Sequence, residues 1–166
     1  MSCLGVHFSL SAAEVQRLRD IDESERIDYV HEMIEEEYFE SHRDRLAESD
    51  KAWDAMHRAL ADGQLTWDGG VYPLNHVILG GELLYTGSDF IMVLKTPKQV
   101  RDVASALPKI TDDDFRRRYY AINAVSYDQP LSEEDFGYTW ENFQVVRKFW
   151  DKAASEGRYV LFTADQ

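Results

Sequence analysis

Two stretches of the chain place carboxylates one helical turn from an imidazole. In Asp50–Leu60, read as DKAWDAMHRAL, a helix would bring Asp50, Asp54 and His57 within about a sixth of a turn of one another. Trp53, Met56 and Leu60 form the adjacent apolar arc, so His57 is expected at the boundary between core and solvent. An imidazole held there by Asp54 could serve as a general base or a metal ligand. Ordinary ion-pair networks have the same spacing, with the histidine simply hydrogen-bonded to an aspartate one turn away. Asn75, His76 and Tyr85, from the glycine-bounded segment that follows, are the candidates to line a pocket beside this pair, which leaves a small ligand open.

The carboxylate-x-x-histidine spacing recurs in Asp28–His31 (DYVH) and Asp54–His57 (DAMH). Di-metal helical bundles pair Glu-x-x-His helices with two further glutamates on two other helices. Here the carboxylates are the shorter Asp, and four long helices are not evident. HEMIE (His31 to Glu35) approaches the zinc helix His-Glu-x-x-His but ends in Glu, which removes the second imidazole. Cys3 and His7 share a strand face, yet four residues of strand span about 13 Å, too far for one ion. No metal site and no cofactor is therefore assigned. The glycine pairs Gly69-Gly70 and Gly80-Gly81 read as turns, and there is no Gly-x-Ser-x-Gly elbow, Walker A loop or Gly-x-Gly-x-x-Gly fingerprint.

Charge carries a second kind of information. The net charge is −13 over 166 residues, and it is uneven. Residues 1–83 hold 18 acidic and 7 basic side chains, whereas residues 84–166 hold 13 and 11. Most of the excess falls between Asp20 and Asp50. Such a field repels nucleic acid and anionic membranes and attracts basic partners, although it also serves solubility alone. Glu32, Glu35, Glu36 and Glu40 lie on the helix that carries this excess and are the candidate interaction residues. RRRYY (Arg116 to Tyr120) mixes base with aromatic, but three aspartates precede it, so helical salt bridges are the expectation. The single cysteine excludes an internal disulfide framework. No basic n-region precedes the first apolar residues and no apolar run reaches about 20, so a cytoplasmic location away from membranes is expected.

The elements that must position these residues follow from periodicity. Leu4, Val6 and Phe8 alternate with Cys3, Gly5 and His7, as in a strand. Ser11 to Glu14 reads as a capping box. From Glu23 to about Ser41, Ile27, Val30, Ile34 and Tyr38 form one helical stripe opposite Asp28, Glu32, Glu35, Glu36 and Glu40. Asp50 is placed to cap the next helix, and Pro73 to open a brief one. ELLYTGSDFIMVLKT suggests two strands around Gly87 and Ser88. Thr96, Thr111 and Ser132 each precede a helix, the last with a stripe of Phe136, Trp140, Phe143, Val146 and Trp150. RYVLFTA is a closing strand. These make one α+β domain over residues 1–166, a small mixed sheet of about four or five strands packed with several helices.

DKAWDAMHRAL, then PLNHVILGG, then a C-terminal helix running into EGRYVLF together resemble the bacterial YfbM-like family, a domain of unknown function. Asp50, Lys51, Trp53, His57, Pro73, Leu74, Gly80 and Gly81 occupy its motif positions, and Asp54 stands where many relatives carry a second histidine. The resemblance implies a compact α+β cytoplasmic domain and supplies no activity. Two functions stay open. One is a non-catalytic interaction module that neutralises a basic protein, in the manner of immunity proteins by analogy. The other is a small-molecule or metal-dependent enzyme with His57 as base or ligand and Asp54 orienting it.

Overall fold

The computed structural model describes residues 3–166. Five strands, β1 (Gly5–Leu10), β2 (Leu46–Asp50), β3 (Glu82–Leu83), β4 (Phe90–Lys95) and β5 (Tyr159–Asp165), form one sheet in the order β2-β1-β5-β4-β3. All four pairings are antiparallel, where a mixed sheet was expected; the α+β class and the strand number stand. The last strand of the chain lies in the middle, with His7 opposite Phe162 on one side and Val93 opposite Phe162 on the other.

Helices cover both faces. Over one lie α1 (Ala12–Asp20) and a longer helical stretch made of α2 (Arg26–Tyr29), a π-helical turn (Val30–Glu35) and α3 (Glu36–Ser41). Val15, Leu18, Val30, Ile34 and Tyr38 meet Val6, Phe8, Leu10, Met92, Leu94 and Leu161 there. Over the other lie α4 (Trp53–Leu60), α5 (Pro97–Ala106), α6 (Asp112–Tyr120) and α7 (Glu133–Ser155), packed on Ile91, Val93, Val160 and Phe162. Strands covered on both sides need apolar residues at every position, which explains the unbroken run Phe90–Leu94.

Local chemistry sets most boundaries. Ser11 and Glu14 close a reciprocal capping box on α1, and Thr96 and Gln99 close one on α5, where Pro97 occupies the first turn. Thr111 and Ser132 accept the backbone N–H of Asp114 and Asp135 and so start α6 and α7. One expected cap is absent. Asp50 ends β2 with a left-handed backbone, φ +48°, and its carboxylate accepts the Tyr138 hydroxyl at 2.7 Å. Helix α4 begins three residues later behind a turn closed by Ala52 N–H to Ser49 O at 3.0 Å, with no side-chain cap. Pro73 precedes only a 3-10 turn, Leu74–His76.

Candidate functional site

Helix α4 is buried on nearly its whole circumference, since Ala55, Met56, His57, Arg58, Ala59 and Leu60 are all inside. His57 is therefore not at the core–solvent boundary: it is 1% exposed. Its Nε2 lies 2.9 Å from the Thr66 carbonyl, which can only accept, so Nε2 carries the proton. Nδ1 then holds a lone pair that no donor reaches among the described residues. Burial, aided by the charges of Lys95 and Arg58 and opposed by the Thr66 bond and Asp62, holds its pKa down to about 4. Asp54 does not orient this ring. Its carboxylate accepts Arg58 Nε at 2.5 Å, and Arg58 Nη1 goes on to Ser126 Oγ at 2.8 Å. At one turn's spacing two partners were available to Asp54, and the guanidinium took the bond.

The expected pocket wall divides in the same way. His76 Nδ1 is 2.7 Å from Asn75 Oδ1, Asn75 Nδ2 donates to Gly69 O at 3.2 Å, and the Tyr72 ring stands edge-on to His76. These side chains fold the glycine-rich loop on itself. Tyr85 belongs to the opposite face of the sheet, packed on the cluster under α1–α3, and its hydroxyl donates to Asp89 at 2.9 Å. It does not join Asn75 and His76. His31, the other histidine of the repeated spacing, stands edge-on to Phe90, whose side chain belongs to the face opposite His57. Among the described residues no group of three or more His, Cys, Asp or Glu side chains is arranged to hold a metal ion.

Two polar residues lie deeper than any of these: His7, dismissed above as a metal ligand with Cys3, and Lys95, which the sequence did not flag. Lys95 and His7 have no exposed surface at all. Lys95 Nζ donates to Ile78 O, and His7 Nε2 to Val77 O at 2.8 Å, so the two strands that flank β5 grip two consecutive carbonyls of the segment before Gly80. Nζ also stands 5.5 Å from the centre of the Phe162 ring. Burial drives the Lys95 amine well below its usual range and, with the Lys95 charge, pulls His7 down to about 3 against its Val77 bond. The signal lay in phase: Lys95 falls two residues beyond Val93 on the inward side of β4.

The acidic helix presents the opposite arrangement. Glu32, Glu36 and Glu40 are exposed, and none meets a cation among the described residues. Met33 stands among them at 55% exposure. Glu35 is half-buried and takes a hydrogen bond from His31 Nδ1 at 2.9 Å. It also borders a cavity of about 270 Å³ whose apolar floor is Leu4, Val6 and Phe39 and whose other acids are Glu48, Asp50 and Asp165. The acidic surface thus runs from the helix across the edge of the sheet. The π turn lies in the middle of the stretch, at Val30–Glu35, and such turns are frequent at functional sites.

A family model described as a domain of unknown function, DUF1877, matches residues 1–163. The chain belongs to the DUF1877 family. Its fold is similar to that of a solved structure, a protein of unknown function, YfbM, from Escherichia coli, with a TM-score of 0.69 at 16% identity over 97% of this chain and 99% of that one. At that identity the likeness concerns the fold of the DUF1877 chain alone. No curated protein matches it. Among the described residues, no helix of this DUF1877 protein is long and apolar enough to cross a membrane.

Proposed function

We propose that this protein is a non-catalytic interaction module that docks a basic protein through the acidic face of its second helical stretch. The observation that carries the reading is the exposed series Glu32, Glu36 and Glu40 with no cationic partner. Like charges one turn apart cost a helix about 0.2–0.5 kcal/mol per pair, so the series does not serve the helix itself. Some of the acids elsewhere are paired locally, as in Arg116–Glu133, Arg118–Asp114, Lys152–Asp44 and Arg45–Glu156, while Asp113, Glu134, Glu141 and Asp151 stand singly between such pairs. Met33 supplies an adaptable apolar contact at the centre of the charged face, and Glu35 extends that face toward Glu48, Asp50 and Asp165. A surface of this kind accelerates encounter with a basic partner, and its binding weakens with salt.

The test is affinity capture from the native host at low and high salt with the wild type and with Glu32→Lys/Glu36→Lys/Glu40→Lys. A basic protein held near stoichiometry at low salt, released at high salt and lost with the triple variant is the expected result. A partner retained equally by the triple variant would sink the reading.

A further inference from the structure

A second cavity lies on the other side of the molecule, away from the acidic helix. It measures about 490 Å³ and opens between the end of α4, the loop Val71–Leu74, the turn after α5 and the side of α6. Leu60, Leu74 and Ile110 form an apolar base, and Leu60 and Ile110 belong to the main core. One wall is the loop itself, where Val71 is 77% exposed and Tyr72 44%. The Tyr72 ring is fixed in place because its hydroxyl donates to Asp102 at 2.6 Å. A concave apolar space of roughly 300–1,000 Å³ with a few convergent polar groups has the form of a small-molecule site.

The charge of its rim is opposite in sign to that of the chain. Lys109, Arg118 and Asp114 are the ionised lining residues. Asp114 is already shared by two guanidinium groups: Arg117 reaches Oδ1, and Arg118 Nε reaches Oδ2 at 3.0 Å. Arg118 keeps both Nη groups without an acceptor, and Lys109 without an ion-pair partner, among the described residues. An apolar base beneath unspent cations selects a molecule with an apolar body and one anionic head. We propose that this cavity binds a small amphipathic carboxylate, its tail on Leu60, Leu74 and Ile110 under Val71 and its head between Lys109 and Arg118. This site is independent of the acidic face and of any protein partner.

The experiment titrates the full chain with sodium octanoate and with octanamide, its neutral isostere, by calorimetry, and maps the amide resonances that move. Octanoate should saturate one site at least tenfold more tightly than octanamide, and the shifts should cluster at residues 60–61, 71–74 and 106–118. Lys109→Glu should weaken octanoate at least tenfold and leave octanamide unchanged. Ala106→Trp should block both by filling the space. If that variant fails to fold, Val71→Glu, at an exposed loop position, should instead weaken both ligands, octanoate the more because a like charge is added. Absence of saturable octanoate binding, equal affinity for octanamide, or indifference to both Lys109→Glu and Val71→Glu would overturn the assignment. A concentration-dependent dimer abolished by Val71→Glu would overturn it too, because a second copy would then be what covers the wall.

Discussion

On one face, β1, β5 and β4 present Val6, Phe8, Leu10, Leu161, Met92 and Leu94 to α1–α3; on the other, the same strands present His7 and Lys95 beside Val93 and Phe162. The first interface is held by apolar burial, with Tyr38 reaching Ser9 O and Glu14 at its margin. The second must satisfy the His7 and Lys95 donors in a closed interior, and does so with backbone carbonyls. The outer layers are reversed. Helices over the polar interface pair several of their charges, as at Arg116–Glu133 and Arg118–Asp114, whereas the helical stretch over the other face leaves Glu32, Glu36 and Glu40, one turn apart, all without a cation among the described residues. The stretch is anchored by its apolar stripe and by the Tyr38 hydroxyl, so none of its fixing contacts comes from Glu32, Glu36 or Glu40.

The largest effect is expected from breaking the dry face. Phe8→Ala removes a fully buried ring and should cost about 3–5 kcal/mol, read as a lowered denaturant midpoint at unchanged slope. A loss under about 1 kcal/mol would mean that this interface is not what anchors the acidic layer.

The polar face should instead betray itself through pH. His7 and His57 titrate at about 3 and about 4 when folded, against 6.5 when unfolded. The unfolded chain therefore binds more protons below pH 6.5, and stability is lost as pH falls from there toward the folded values. Between pH 7 and 5 each histidine should contribute a loss of about 2 kcal/mol. Urea midpoints at pH 7, 6 and 5 test this, and a flat series would show that the imidazoles are not buried neutral.

Lys95 acts in the same direction at higher pH. Its folded pKa is depressed, so wild-type stability should rise with pH toward 10 relative to Lys95→Met, by about 1.4 kcal/mol per unit. Parallel pH profiles for the two proteins would contradict a depressed pKa for this amine.

The smallest effects separate the outer layers. Glu36→Lys places a cation beside Glu32 and Glu40 and should stabilise by less than about 1 kcal/mol. Arg116→Gln, which removes the cation paired with Glu133, should lower the melting temperature slightly. Effects of the same sign in thermal melts would erase the distinction between the two layers.

Much of this was legible in the sequence because it depends on neighbours along the chain. Capping residues placed α1, α5, α6 and α7, alternation placed β1, and apolar runs placed β4 and β5. Strand β2 was missed since its edge position leaves Glu48 and Asp50 in solvent while Ala47 and Ser49 pack inside, too few apolar residues to register. Asp50 looked like a cap because spacing does not reveal that a strand ends there. His57 looked like a boundary residue because its helix is amphipathic in composition, and only the loop after Gly63 covers its polar side. The stripe and the acidic arc of the second helical stretch were readable, but not its π turn at Val30–Glu35 or the half-burial of Glu35. The partners of His7 and Lys95, 70 and 17 residues away, were not, because a backbone carbonyl carries no identity in a sequence.

The central place of β5 sets an order of events during synthesis. The β1–β2 and β3–β4 hairpins are complete once residue 95 has been made, yet nothing joins them until residues 159–165 arrive between β1 and β4. Until then each hairpin offers one long unpaired edge with apolar side chains on both faces, the condition under which chains pair with the wrong neighbour. A nascent chain halted within α7 would be the most aggregation-prone form of this protein, because both inner edges would then be made and their common partner missing.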